Sequence, residues 1–174
     1  MTIQTIYQRT LHYAALKHGD QKVPGSDIPY VVHLSNVCME VIFAAMHTDD
    51  FDLEFAVQVA LLHDVLEDTP TQETELEALF GTAVTAGVKA LTKNENLPKE
   101  EQMPDSLRRI KVQPKEIWSI KLADRITNLQ PPPNYWTAEK IANYRQEAML
   151  IYKELHEGNT YLAERLWNEI EKYQ

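Results

Sequence analysis

The stretch ALLHDVLEDTP, residues 60 to 70, joins an apolar helical run to an imidazole and a crowd of carboxylates. Helical spacing of the apolar residues predicts one helix over 52–68. With His63 as the origin and about 100° per residue, Glu67 falls at about 40°, Asp64 at about 100° and Asp68 at about 140°. One arc therefore holds all four polar groups. Phe55, Val59, Leu62 and Leu66 occupy the opposite, core-seeking side, while Ala56 and Ala60 lie beneath the polar arc, where small side chains admit a neighbouring helix. Acids at a helix C-terminus meet the negative end of the dipole at about 0.3–1 kcal/mol each, so a positive partner is expected. A solvated acidic face is the plain alternative. A divalent cation accounts for more, because it attracts carboxylates and accepts neutral imidazole as a ligand.

Outward from this stretch the chain reads as all-α. Glycine occurs only at Gly19, Gly25, Gly81, Gly87 and Gly158, mostly between periodic segments, and no sustained apolar–polar alternation marks a strand. Helices are expected over 2–18, 30–47, 52–68, 72–80, 82–92, 99–111, 114–129, 137–156 and 159–172, a bundle of about eight to ten. Thr69-Pro70-Thr71-Gln72 has the form of a capping box with Thr69 as N-cap. The loop GDQKVPGSDIP at 19–29 and the run PPPN at 131–134 are rich in turn formers and break helix.

The 174 residues suffice for one domain with a proper core, and neither an internal repeat nor an interdomain linker interrupts them. No stretch approaches the roughly 20 apolar residues of a membrane span, and the N-terminus lacks the regions of a signal peptide, so a cytoplasmic protein is expected. Cys38 stands alone, which excludes an internal disulfide framework and a cysteine zinc site. The net charge of −9 argues against general nucleic-acid binding. An anionic substrate then requires cations concentrated locally. Nothing in the sequence speaks to oligomeric state.

Two further constellations complete the pattern. In KLADRITNL, residues 121–129, Asp124 and Asn128 stack on one helical face, although Asp124 could simply pair with Lys121 or Arg125 on the surface. In PYVVHLSNV, residues 29–37, His33 stands near the start of a helix, where a histidine among valines is commonly a core residue. The ordered set PYVVH, ALLHDVLEDT and KLADRITNL resembles the HD-domain metal phosphohydrolases. More narrowly it resembles the hydrolase domain of RelA/SpoT proteins and the small alarmone hydrolases related to metazoan SpoT homologues. FGTAVTAGVKALTK at 80–93, NLPKE at 96–100 and the helix from Tyr144 to Leu155 extend the likeness over nearly the whole chain.

The resemblance implies a helical HD domain spanning 1–174, one Mn²⁺ ion and removal of pyrophosphate from the 3′ position of guanosine tetra- or pentaphosphate. By it, His33, His63, Asp64 and Asp124 bind the metal, a mixed set that suits Mn²⁺ and also admits Zn²⁺ or Fe²⁺. Glu67 and Asp68 match the family's catalytic carboxylates, which orient a water, accept its proton and assist the leaving oxygen. Asn128, Lys99 and Tyr144 match positions at the nucleotide pocket, Lys22 is a further substrate-binding candidate, and Lys140 and Arg145 are weaker matches. After KHGDQ the subfamily presents an Arg-Lys pair that reads the purine, whereas this chain has Lys22, Val23 and Pro24. An adenine alarmone, a nicotinamide dinucleotide phosphate or a nucleoside phosphate could thus replace the guanosine substrate. A nucleotide sensor with a silent metal site is the non-enzymatic alternative, and the paired acids Glu67 and Asp68 argue against it.

Overall fold

Ten α-helices and one 3₁₀ turn, with no strand, make up the computed structural model, which describes residues 1–174. In chain order they are α1 (Ile3–His18), α2 (Tyr30–Ala45), α3 (Leu53–Leu62), α4 (Val65–Asp68), α5 (Glu73–Phe80), α6 (Thr82–Leu91), α7 (Lys99–Lys111), α8 (Lys115–Asn128), α9 (Ala138–Leu155), the 3₁₀ turn His156–Gly158, and α10 (Thr160–Lys172). The all-helical expectation holds, and most ends lie within two residues of the expected ones.

Helix α3 is the axis. Asp52 caps its start by accepting from the amide of Phe55 at 3.0 Å. From Ala56 to Leu62 every residue but Gln58 is fully buried, because α1, α2, α6 and α8 surround it. Ala56 and Ala60 lie inside this packing, in keeping with their small size. Helix α8 is the second buried element, and packs on α2, α3, α9 and α10. Its stretch Ile120–Ile126 is buried throughout, including the polar Lys121, Asp124 and Arg125. Gly158 lets the 3₁₀ turn press against α8, since a Cβ there would meet the Cβ of Trp118 at 2.6 Å.

Two local expectations fail. The helix expected over 52–68 is broken at His63-Asp64, where α3 ends and the short α4 begins. The His63 ring turns back so that Nδ1 donates to the Ala60 carbonyl at 2.8 Å, occupying a terminal acceptor of α3. Glu67 and Asp68 therefore sit in the single turn of a new short helix and not at the end of a long one, so the dipole penalty inferred from a continuous helix does not apply. The capping box also fails. Helix α5 begins at Glu73 with Gln72 as N-cap and no side-chain cap bond. The Thr69 hydroxyl donates instead to the Val65 carbonyl at 2.6 Å, closing α4.

Candidate metal centre and active site

The break at His63-Asp64 is what builds the site. It sets adjacent side chains side by side, with His63 Nε2 at 2.8 Å from Asp64 Oδ2. Helix α2 delivers His33 from its first turn, with Nε2 at 3.4 Å from His63 Nε2 and 3.7 Å from Asp64 Oδ2. Helix α8 delivers Asp124, whose Oδ1 lies 3.5 Å from His33 Nε2 and 3.7 Å from His63 Nε2. Four side chains from three segments thus converge, and all but Asp64 are buried.

These residues fit a divalent cation. Donor atoms bonded to one ion at about 2.0–2.2 Å lie roughly 3–4 Å apart; the ligand atoms of His33, His63 and Asp64 all lie within 4.8 Å of one another, and Asp124 Oδ1 stands 3.5 and 3.7 Å from the two imidazoles. The donor set of imidazoles and carboxylates belongs to the transition metals and not to Ca²⁺ or a thiolate site. The His63 tautomer fits as well. A carbonyl only accepts, so Nδ1 carries the proton facing Ala60 and Nε2 is left to face the cluster.

Burial alone would lower the His63 pKa, but Asp64 and Asp124 outweigh it and raise it well above the ordinary value. Burial would raise Asp64, yet the His63 charge and hydrogen bond bring it down to about 2. Asp124 is likewise held well below the usual carboxylate range, its burial offset by Lys121 and the two imidazoles. Lys121 Nζ donates to Asp124 Oδ2 at 3.0 Å, one turn back on α8. The pairing expected at the surface is therefore made in the interior, and it leaves Oδ1 facing the histidines.

A cleft of about 240 Å³ opens over the cluster. Glu67, Asp68 and Asn128 line it beside Asp64, His63 and Asp124. Asn128 donates to Asp124 Oδ1 at 2.5 Å. The two acids differ in their surroundings. Both oxygens of Glu67 are engaged by Lys93, whose Nζ lies 2.6 Å from Oε1 and whose amide lies 2.9 Å from Oε2. Glu67 raises the Lys93 pKa despite partial burial, so this is an ion pair. Asp68 takes one bond, from Gln21 Nε2 to Oδ2 at 3.0 Å, and its Oδ1 has no protein partner.

The substrate candidates divide. Tyr144 lines both the cleft and an adjoining open groove of about 1000 Å³, where Lys99 and Lys140 are found. The Arg125 guanidinium lies 4.3 Å over the Tyr144 ring, and burial pushes the phenol up to about 12, so it remains neutral. Lys22 lines neither cavity; it is exposed and bridges to Pro29 across the 19–29 loop. Arg145 turns away to the Ile170 carbonyl.

Sequence reading missed three contributors. Tyr30 donates to Asp64, and burial with the nearby carboxylates pushes its phenol far above its ordinary value, so it stays a donor. Its signal was the spacing of three residues from His33, one helical face. Lys93 ends the quoted run FGTAVTAGVKALTK, but its meeting with Glu67 is a tertiary contact that no local pattern announces. Gln21 closes the quoted stretch KHGDQ, which the sequence reading used only to locate the residues after it.

The HD domain family matches residues 10–159. The chain is 32% identical over 162 residues to the guanosine-3′,5′-bis(diphosphate) 3′-pyrophosphohydrolase MESH1 of Danio rerio, covering 90% of this chain and 88% of that protein. The MESH1 protein of Drosophila melanogaster is 32% identical over 92% of this chain and 90% of its own length. A solved structure described as a metazoan ortholog of SpoT that hydrolyzes ppGpp superposes with a TM-score of 0.84 at 31% identity, over 96% of this chain and 94% of the other. All-helical architecture and a His/His/Asp cluster with both histidines buried define an HD-type metal domain. The chain belongs to the HD-domain family, alongside the MESH1 proteins.

Proposed function

We propose that this chain is a divalent-metal-dependent phosphohydrolase that removes pyrophosphate from the 3′ position of guanosine tetra- or pentaphosphate, as its relatives' names describe for them. The chain acts as one HD hydrolase unit over 1–174. His33, His63, Asp64 and Asp124 hold the ion, and Mn²⁺ is the proposed occupant because two imidazoles with two carboxylates make a mixed, fairly hard set. When bound, the ion acidifies water and neutralises phosphate charge.

The two acids take different parts. Glu67, clamped by Lys93 through both of its oxygens, orients the attacking water. Asp68, with Oδ1 free of protein donors, accepts the proton of that water and returns it to the departing ribose 3′ oxygen. Asn128 holds Asp124 and lends the cleft a polar edge. The small cleft suits a phosphoryl group, and the adjoining groove, with Lys99, Lys140 and Tyr144, suits the remainder of a nucleotide. The observation that carries this reading is that Glu67 and Asp68 share one cleft with His63, Asp64 and Asp124, with His33 behind them at 3.4–3.7 Å.

One feature favours a second substrate reading. The loop segment Lys22-Val23-Pro24 brings no side chain to either cavity in place of a purine-reading Arg-Lys pair, so another base fits the same chemistry. A panel of guanosine and adenosine 3′-pyrophosphates, a 2′-phosphorylated nicotinamide dinucleotide and simple 5′-monophosphates, each with Mn²⁺ and with chelator, separates the readings. Metal-dependent pyrophosphate release from the guanosine compound is expected; turnover of none of them would refute a hydrolase.

A further inference from the structure

Asp68 is not positioned by its own helix alone. A chain of contacts runs from it into the end of α1: Gln21 Nε2 donates to Asp68 Oδ2 at 3.0 Å, and Gln21 Oε1 meets His18 Nδ1 at 2.7 Å. Chemistry fixes every direction in this chain. An ionised carboxylate only accepts, so the amide nitrogen of Gln21 faces Asp68 and its oxygen faces His18. That oxygen also only accepts, so His18 presents Nδ1–H. The ring is buried and stacked on Tyr30, with centroids 4.9 Å apart and planes at 28°. Its other nitrogen, Nε2, is buried and meets no protein partner, so Nδ1 makes the ring's one hydrogen bond within the protein.

The backbone holds the relay from both sides. Gly19, at φ 52°, ends α1 directly after His18, a left-handed turn that favours glycine. Gln21 then donates its amide to the His18 carbonyl at 3.0 Å and accepts from the Tyr30 amide at 2.9 Å. Gln21 is thereby tied to the helix that carries His33, while its side chain reaches α4.

We propose that Gln21 and His18 are positioning residues for Asp68: the Gln21 amide engages Oδ2, the His18 Nδ1–H fixes the amide, and Oδ1 is thereby presented to the cleft. This rests on the reading of Asp68 as the proton acceptor. Neither residue touches substrate. Loss of the relay frees the carboxylate to rotate without altering the ligand cluster, so turnover falls while substrate and metal binding persist.

The test compares Gln21→Met, His18→Asn, His18→Gln and Asp68→Asn in the full-length, Mn²⁺-loaded protein, by kcat and KM for the active substrate, Mn²⁺ affinity by calorimetry, and thermal melting. Gln21→Met keeps the length of the side chain and removes both hydrogen bonds. It is expected to lower kcat by roughly 10–100-fold, the range for lost outer partners, with KM and Mn²⁺ affinity within about twofold. An Asn side chain can place its amide near the position of Nδ1, whereas Gln reaches that of Nε2. Both lose the ring stack, so retention of kcat in His18→Asn and its loss in His18→Gln isolates the hydrogen bond. Full kcat in Gln21→Met beside an inactive Asp68→Asn would overturn the relay, as would an equal fall in the two His18 variants. An active Asp68→Asn would instead overturn the reading on which the relay rests.

Discussion

The His/Asp cluster beneath the cleft and the open groove that shares Tyr144 with that cleft are built by opposite means. His33, His63 and Asp124 are 5%, 3% and 7% exposed and come from helices in the centre of the packing, with His63 oriented by the Ala60 carbonyl and Asp124 by Lys121 and Asn128. Lys99 and Lys140 stand on an open groove, and Lys140 rests only on the Trp136 ring at 4.1 Å. Buried donors are costly to move, because each change leaves a charge or lone pair unmatched. Exposed cations are cheap to replace. The chemistry is thus placed where the fold cannot easily vary it, and recognition where it can.

That contrast breaks first if the cluster tolerates change. Asp64→Ala and His63→Ala are each expected to abolish stoichiometric Mn²⁺ binding and turnover together, while a folded helical spectrum remains. Metal analysis of the purified variants checks this, and full metal content in either would separate the cluster from the ion. The next effect is smaller and keeps the metal. Asp68→Asn and Glu67→Gln are expected to lower kcat by roughly 10²–10⁴-fold with Mn²⁺ affinity unchanged, the range for lost acid–base groups. Asp68→Asn should be the worse of the two, since Glu67 is clamped by Lys93 and serves orientation.

The same contrast explains what the sequence disclosed. The class of fold followed from apolar spacing, and the residues that meet in the cluster followed from motif resemblance, since buried functional groups sit at fixed offsets within helices. The break at His63-Asp64 was not legible. Leu62 and Leu66 continue the apolar period straight through it, while in the fold the His63 ring takes the Ala60 carbonyl that a continuing helix would use. Thr69 misled for a related reason: a threonine near a helix junction can close the helix behind it or open the one ahead, and the pattern is the same. Lys93 and Gln21 were invisible because their partners lie 26 and 47 residues away.

A proton and the metal compete for His63, which gives a graded test of the cluster's charge. Since the His63 pKa is raised in the folded, metal-free protein, the imidazole holds its proton above the ordinary range and a cation must displace it. Mn²⁺ affinity is therefore expected to rise with pH, by up to about tenfold per unit for one displaced proton, and to level off above the folded His63 pKa. Stability follows the opposite sign. A raised histidine pKa stabilises the metal-free fold below its unfolded value, and this contribution disappears as pH rises through the folded one. Calorimetric titration and melting across neutral to alkaline pH should show weakening of the metal-free protein and a growing stabilisation by Mn²⁺. A pH-independent affinity would remove the proton from the cluster.

The smallest expected effect lies on the recognition side. In an extended segment successive side chains point to opposite sides, so with Gln21 directed at Asp68, Lys22 is turned away from the cleft, consistent with its bridge to Pro29. Lys22→Ala should leave kcat and KM unchanged. Lys99 stands in the groove and is exposed, so a phosphate contact there is worth about 0.5–1 kcal/mol, or a rise in KM of roughly two- to fivefold with kcat intact. Steady-state kinetics at two ionic strengths sharpens the assignment, because screening should shrink the Lys99 effect and leave the losses at Asp68 and Glu67 in place. A Lys99→Ala variant that loses kcat rather than KM would place this lysine with the buried machinery and dissolve the division between the two regions.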